Sequence, residues 1–303
     1  MKAPMPKTCL GWLAAGIIFM IIGCTQSINN MENLESQINE RLEAMSGDFA
    51  VAFMNLSDTS ETILINEREM FHAASTMKTP VMVELYKQAD AGKFSLDDSI
   101  LVKNEFRSIV DGSGYQMSVD EDSEGELYDL IGQKRTIRDL MYDMITMSSN
   151  LATNILIEKV NAENVTETMR SYGADSILVL RGVEDIKAFE QGLSNRTTAY
   201  DEMKIYSKIG NGEAVSEEAS EQMIEILKGQ KFNEMIPALL PADVQVAHKT
   251  GWITGVNHDT GIVILPSGER YVLVMLSKNA PDREEVLSTF VDISKIVYDF
   301  VVQ

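Results

Sequence analysis

Cysteine is nearly absent. The 303 residues hold two, Cys9 and Cys24, both close to the N-terminus. The body of the chain therefore has no thiol for a disulfide framework, a cysteine nucleophile or a cysteine-ligated metal. Histidine is scarce too. The three, at 72, 248 and 258, show no metal-ligand spacing, so no metal is expected. Basic residues are outnumbered, 26 Lys and Arg against 46 Asp and Glu, for a net charge of −20. That balance argues against a nucleic-acid partner, whose phosphates demand a basic face; solubility accounts for the acidity. No Gly-x-Ser-x-Gly elbow occurs, which leaves a Ser-His-Asp triad without support.

No apolar run is long enough to cross a bilayer, which takes about 20 residues. The longest such run at the N-terminus, Leu10 to Ile22, follows Lys2 and Lys7 and fits the apolar region of a secretory signal. It ends in Ile21-Ile22-Gly23-Cys24, which looks like a bacterial lipobox. Residues 1–23 then read as a signal peptide, Cys24 as the lipidated first mature residue and 24–30 as a tether. The expectation is an exported lipoprotein, anchored to a bacterial membrane on its periplasmic or cell-surface side. Cys9 would leave with the signal.

Apolar residues 31, 34, 38, 42 and 45 fall on one helical face. Phe49–Leu56 and Thr62–Ile65 read as strands around the turn at 57–60. Helical texture starts after Phe71 and returns at Ile137–Met147, where Thr136 and Asp139 form an N-terminal signature, and at Leu151–Val160, Thr198–Ile209 and Ser216–Lys228. Three β-like runs follow, Val244–Lys249, Gly261–Leu265 and Tyr271–Leu276, and then a last helix, Arg283–Val302. Strands at both ends and helices between them imply an α/β (α+β) chain of two subdomains with a cleft between. Residues 31–70 and 229–303 make an antiparallel sheet flanked by the terminal helices, and 71–228 an inserted all-α part. The acidic run Asp120, Glu121, Asp122, Glu124 and Glu126 reads as a solvated loop. Residues 181–198 read as a long ordered loop, a kind usually tied to function.

Three short motifs carry chemistry. Ser75-Thr76-Met77-Lys78 opens a helix and sets a hydroxyl and an amine on one face. The helix N-terminus favours an oxyanion, and an amine held there can lose its proton and act as a base. Ser148-Ser149-Asn150 lies between two helices. Lys249-Thr250-Gly251 closes a β-like run and offers a cation, a hydroxyl and room for close backbone approach. Together they supply a nucleophile, proton-transfer partners and an anion clamp, the parts of acyl transfer to serine.

In this set and order the chain resembles the class A β-lactamases and the related penicillin-binding enzymes over roughly residues 31–303. The resemblance implies a serine β-lactamase-like fold and hydrolysis of β-lactam amides without a cofactor. It implies Ser75 as nucleophile, Lys78 as base and Ser148 as proton relay to the leaving group. Asn150 would bond the substrate's side-chain amide. Lys249, Thr250 and Gly251 would take its carboxylate, with the N–H groups of Ser75 and Trp252 as oxyanion donors. Substrates would be a β-lactam or a peptidoglycan-like molecule, and the protein a monomer. The chain departs from the family in two places. Ser149 stands where the middle motif has Asp, whose role is to brace the local backbone. The long loop reads Arg181-Gly182-Val183-Glu184, one residue longer than the family's Arg-x-Glu, with Ala188 where an Asn is usual and Arg196 where an Asp is usual. Glu184 is the first candidate for activating the deacylating water and Glu190 the second. A D-Ala-D-Ala peptidase or esterase, and a sensor that is acylated without turnover, are the alternative readings. Tyr115 is a candidate for the cleft mouth, and His72 reads as packing.

Overall fold

The computed structural model describes residues 30–303. The expected signal, Cys24 and the tether up to residue 29 lie outside the described residues. Five antiparallel strands form one sheet: β1 (Asp48–Asn55), β2 (Thr62–Ile65), β3 (Gln245–Ile253), β4 (Val256–Ile264) and β5 (Arg270–Lys278). Their order is β2-β1-β5-β4-β3, so the two ends of the chain interleave and β3 is an edge.

Alternation along each strand sorts the two faces. Val51 and Phe53 point, with their partners Met275 and Leu273, toward the first helix, α1 (30–43), and toward the last, α9 (Arg283–Val301). Leu34, Ile38, Leu42, Phe290, Ile293 and Val297 close that layer. Ala50 and Ala52, with partners Leu276 and Val274, point the other way, into the helical core. The small alanines let α7 (Ala199–Gly210) pack close to the sheet. The remaining helices are α2 (Lys78–Asp90), α3 (Ile137–Thr146), α4 (Asn150–Val160), α5 (Ala162–Ser171), the short α6 (Ile186–Glu190) and α8 (Glu217–Lys228). Within α2, Val81, Met82, Val83 and Leu85 are all fully buried, because α3, α4, α5 and α8 surround it. Pro80, its third residue, sits in the first turn, where no N–H partner is lost. Three ribbons of two or three residues per strand also lie between β2 and β3: Phe71–His72 with Arg196–Thr197, Ser99–Leu101 with Lys134–Thr136, and Phe106–Arg107 with Gly114–Tyr115.

Helix starts follow their capping side chains. Thr136, Thr198 and Ser216 each accept an amide three residues on, at 3.0, 3.1 and 3.1 Å. Each such cap contributes about 1 kcal/mol. The sheet differs from the expectation at two places. Lys249-Thr250-Gly251 does not close its strand, because β3 runs on to Ile253. Its hairpin partner begins at Val256 rather than Gly261. Asn257, His258, Asp259 and Thr260 are buried, so a strand with polar residues on both faces hid its own pattern. Helix α5 was not expected at all.

Candidate active site

Ser75 lies in a 3-10 turn, Ala74–Met77, that runs directly into α2 at Lys78. Ala74 has φ +46°, a left-handed conformation that costs energy for a residue with a side chain. The flanking histidines hold it. The Ala74 amide donates to His72 Nδ1 at 3.0 Å, and His258 Nε2 donates to His72 O at 2.8 Å. Burial lowers both imidazoles, His258 to about 4, which keeps each ring neutral for these bonds. His72 thus supports the backbone of the Ser75 turn.

Lys78 is fully buried. Its Nζ donates to Ser148 O at 2.7 Å, Ser148 Oγ at 3.1 Å and Asn150 Oδ1 at 2.9 Å. Burial drives its pKa down to about 7, against the opposing pull of Asp122 and Glu184. Lys249 is also fully buried and reaches the same Ser148 Oγ at 3.0 Å. Burial and the nearby Lys78 charge lower it well below an ordinary lysine. Ser148 has φ +56°, and Ser149 caps α4 by accepting the Ala152 amide at 3.2 Å. The strained turn turns the Ser148 hydroxyl toward both amines.

The register of β3 and β4 settles which backbone groups are free. Ile253 pairs with Val256 across the two-residue turn Thr254-Gly255, and Trp252 with Asn257. Next to such a turn the first pair exchanges both hydrogen bonds and the second exchanges none. The Trp252 N–H therefore points off the free edge of the sheet, away from β4. Gly251 meets the Ser75 turn there. A Cβ on Gly251 would lie 3.1 Å from Ser75 N and 3.2 Å from the Ala74 Cβ, so any side chain there would press on the turn, and glycine lets the two approach without that pressure.

The loop after Val179 meets the site through the bond between Glu184 and Asn150. Glu184, at φ +60°, places Oε1 2.7 Å from Asn150 Nδ2, and burial raises its carboxyl. Asn154 clamps Val183 by both backbone groups, accepting its N–H at 2.6 Å and donating to its C=O at 3.0 Å. Arg181 makes no ion pair among the described residues. Its guanidinium donates to Leu193 O and Gly182 O, each at 2.9 Å. Glu190 is exposed at the end of α6 and does not reach the cleft. Tyr115 turns from the mouth toward Val183 O, at 3.3 Å, and braces the loop.

A cleft of about 390 Å³ joins these walls. Ser75, Ser148, Asn150, Thr250, Gly251 and Trp252 line it; Lys78 and Lys249 lie beneath it, and Glu184 reaches it through Asn150. The acidic run is not simply a solvated loop. Asp120, Glu121 and Asp122 line the cleft, and Glu124 is buried, accepting the Glu126 and Leu127 amides at 2.7 and 3.0 Å. Residue identities carry no sign of this, since the partners are backbone amides.

The model of the beta-lactamase enzyme family matches residues 33–301. A beta-lactamase of Bacteroides uniformis is 21% identical over 95% of this chain and 98% of its own. The crystal structure of a beta-lactamase from Sphaerobacter thermophilus superposes with TM-score 0.74 at 25% identity, covering 88% of this chain and 96% of that one. The structure of PBP-A gives TM-score 0.74 at 25% identity, over 88% and 95%.

Beneath the Ser75 turn lies a carboxyl that the sequence did not single out. Glu202 is fully buried, with Thr76 Oγ1 and Thr197 Oγ1 each 2.9 Å from Oε1 and no partner for Oε2 among the described residues. Thr76 has one hydroxyl proton, and Ala73 O also accepts it at 2.8 Å. A protonated Glu202 donating to Thr76 completes the set. Burial raises the carboxyl from 4.5 to about 7, against the two threonine bonds. The folded state then holds a proton that the unfolded state releases first. The resulting stability is present below about pH 4.5 and is lost as pH rises through about 7. Glu202→Gln, neutral throughout, should gain on the parent between pH 5 and pH 8 by on the order of 3 kcal/mol at most. Denaturant titrations at both pH values measure this; an equal difference at the two would contradict it.

Proposed function

The chain belongs to the beta-lactamase enzyme family, and we propose that it is a serine hydrolase opening β-lactam amides through an acyl-enzyme on Ser75. One observation carries the reading: a fully buried lysine, one helical turn from Ser75, with its pKa lowered to about 7 and its Nζ on a hydroxyl that faces the cleft. At neutral pH a good fraction of Lys78 is the free amine, able to take the Ser75 proton. Ser75 Oγ attacks the lactam carbonyl carbon. The carbonyl oxygen takes the negative charge, facing the N–H groups of Ser75 and Trp252. As the C–N bond breaks, the lactam nitrogen takes its proton from Ser148 Oγ, which recovers one from Lys78 or Lys249. Lys249 and Thr250 face the substrate carboxylate, and Asn150 its side-chain amide. Glu184 then takes a proton from water as that water attacks the ester carbonyl; the bond from that carbon to Ser75 Oγ breaks, Ser75 Oγ takes the proton back, and the ring-opened acid leaves. The burial and raised pKa of Glu184 suit a general base.

A second reading, an acylated protein that turns over slowly or not at all, is favoured by the equal similarity to PBP-A, a variant of which is an acyl-enzyme complex with penicillin G. The two readings differ only in deacylation, where Glu184 is held by Asn150 and the loop carries Ala188. We further propose that Cys24 is lipidated and holds the mature domain on a membrane, supported by the charge, apolar run and Gly23-Cys24 order.

A labelled penicillin should add covalently to Ser75, and mass spectrometry of Ser75→Ala should find no adduct. Undiminished labelling elsewhere would refute the nucleophile. Glu184→Gln should accumulate acyl-enzyme while acylation stays fast, with deacylation slowed ~100- to 10,000-fold, and Glu190→Gln should change little. A burst assay separates the steps; equal small effects would remove both carboxylates. Cys24→Ser should abolish lipid labelling and membrane-fraction recovery. An unmodified Cys24 in the parent protein would end the anchor proposal.

A further inference from the structure

We infer that Asp122, helped by Ser123, is the positioning residue of the Ser148–Asn150 turn, bracing from a separate loop the proton-transfer groups of the site. The inference rests on the acyl-serine reading for its kinetic consequence, though not for its geometry.

The first amides of a helix have no partner within it. In α4 the Asn150 amide donates to Asp122 Oδ1 at 2.9 Å and the Leu151 amide to Oδ2 at 2.8 Å. Ser149 Oγ takes the Ala152 amide. The start of α4 is therefore capped by two side chains, and the charged one comes from outside. A carboxylate at a helix N-terminus also meets the positive end of the helix dipole. Tyr128 donates to Asp122 Oδ2 at 3.0 Å and the Glu124 amide to Oδ1 at 3.3 Å, which fixes the carboxylate plane.

Ser123 holds the other side of the turn. Its Oγ lies 2.6 Å from Met147 O and 3.1 Å from Ser148 O. Residues 122 and 123 thus bond the backbone of 147, 148, 150 and 151. Between those anchors sits Ser148 at φ +56°, a conformation that persists only where its surroundings over-determine it. Ser148 Oγ and Asn150 Oδ1 are two of the three acceptors on Lys78 Nζ. Ser149 Oγ takes the Ala152 amide and has no carboxylate to offer the Asn150 and Leu151 amides. Asp122 supplies the carboxylate instead. It also acts on Lys78 through space: Asp122 and Glu184 stabilise the ammonium, and Lys249 is the cation set against them.

The test uses the mature protein, a chromogenic cephalosporin under single-turnover conditions, and four variants: Asp122→Ala, Asp122→Asn, Ser149→Asp and the Asp122→Ala/Ser149→Asp pair. Misplacing catalytic groups by about 1 Å can cost ~100-fold. Asp122→Ala should slow acylation ~10- to 100-fold with a smaller effect on KM, and the pair should recover most of the loss. Asp122→Asn removes a negative charge near Lys78, so the acid limb of its acylation profile should move to lower pH. Amide exchange at Asn150 and Leu151 should quicken in Asp122→Ala. Parent-like acylation and exchange in Asp122→Ala would overturn the inference. So would a loss of rate with neither recovery by Ser149→Asp nor a moved limb in Asp122→Asn. If the parent itself forms no adduct on Ser75, the functional reading fails, while the exchange measurement still decides whether Asp122 holds the turn.

Discussion

Two fully buried amines meet at one hydroxyl, and the rest of the site is arranged around the cost of that meeting. Lys78 and Lys249 both reach Ser148 Oγ, at 3.1 and 3.0 Å. Burying a cation costs several kcal/mol even after relaxation, and two like charges at close range cost more. Burial lowers both pKa values, and the Lys78 charge lowers Lys249 further. The fold offsets the remainder with carboxylates on separate elements: Asp122 and Glu184 near Lys78, and Asp259 near Lys249. A hydroxyl has one proton and two lone pairs. Ser148 can accept from two ammonium groups, or donate to whichever amine is neutral. Its place between them makes it a proton route in either direction.

The same constraint orients Asn150. A lysine amine in its charged state only donates, and a carboxylate only accepts. With Lys78 Nζ at 2.9 Å from one atom of the side-chain amide and Glu184 Oε1 at 2.7 Å from the other, the oxygen must face Lys78 and the nitrogen Glu184. Asn150 therefore links Lys78, the proposed base of acylation, to Glu184, the proposed base of deacylation. Any ligand that accepts from the Asn150 side-chain nitrogen would compete with Glu184 for it.

Much of this was legible in the sequence because the chemistry is local. Ser75 and Lys78 are one turn apart; Lys249, Thr250 and Gly251 are consecutive; and the caps at Thr136, Thr198 and Ser216 sit beside the helices they start. The illegible parts depend on distance along the chain or on burial of polar groups. Asp122 and Asn150 are joined through a backbone amide, which leaves no mark on residue identity, so an engaged carboxylate passed for one charge in an acidic run. Asn154 lies inside a helix pattern, and its two bonds to Val183 come only from the folded loop. Buried polar residues from Asn257 to Thr260 concealed half of β4. Gly251 was legible as a small residue, but the reason for it, the Ser75 amide 3.1 Å from an added Cβ, belongs to packing.

The loop departures change how Glu184 is held, not whether it is held. Arg181 has the carbonyls of Leu193 and Gly182 for partners and no ion pair among the described residues. Asn195 ties the same segment by accepting the Leu180 and Arg181 amides at 2.8 and 3.2 Å and donating to Arg181 O at 2.9 Å. On one side of Glu184, Val183 is fixed through both backbone groups by Asn154. On the other, the buried Asp185 accepts the Ile109 amide at 2.9 Å and the Ala188 amide at 3.2 Å. A residue pinned by its two neighbours has little freedom to leave a positive φ, and φ +60° aims the Glu184 side chain at Asn150. Gly182 completes the arrangement, because a Cβ there would fall 2.1 Å from Asn154 Oδ1, the atom that receives the Val183 amide. The extra residue between Arg181 and Glu184 is thus absorbed by a glycine and an asparagine clamp, and the carboxylate still arrives beside the cleft.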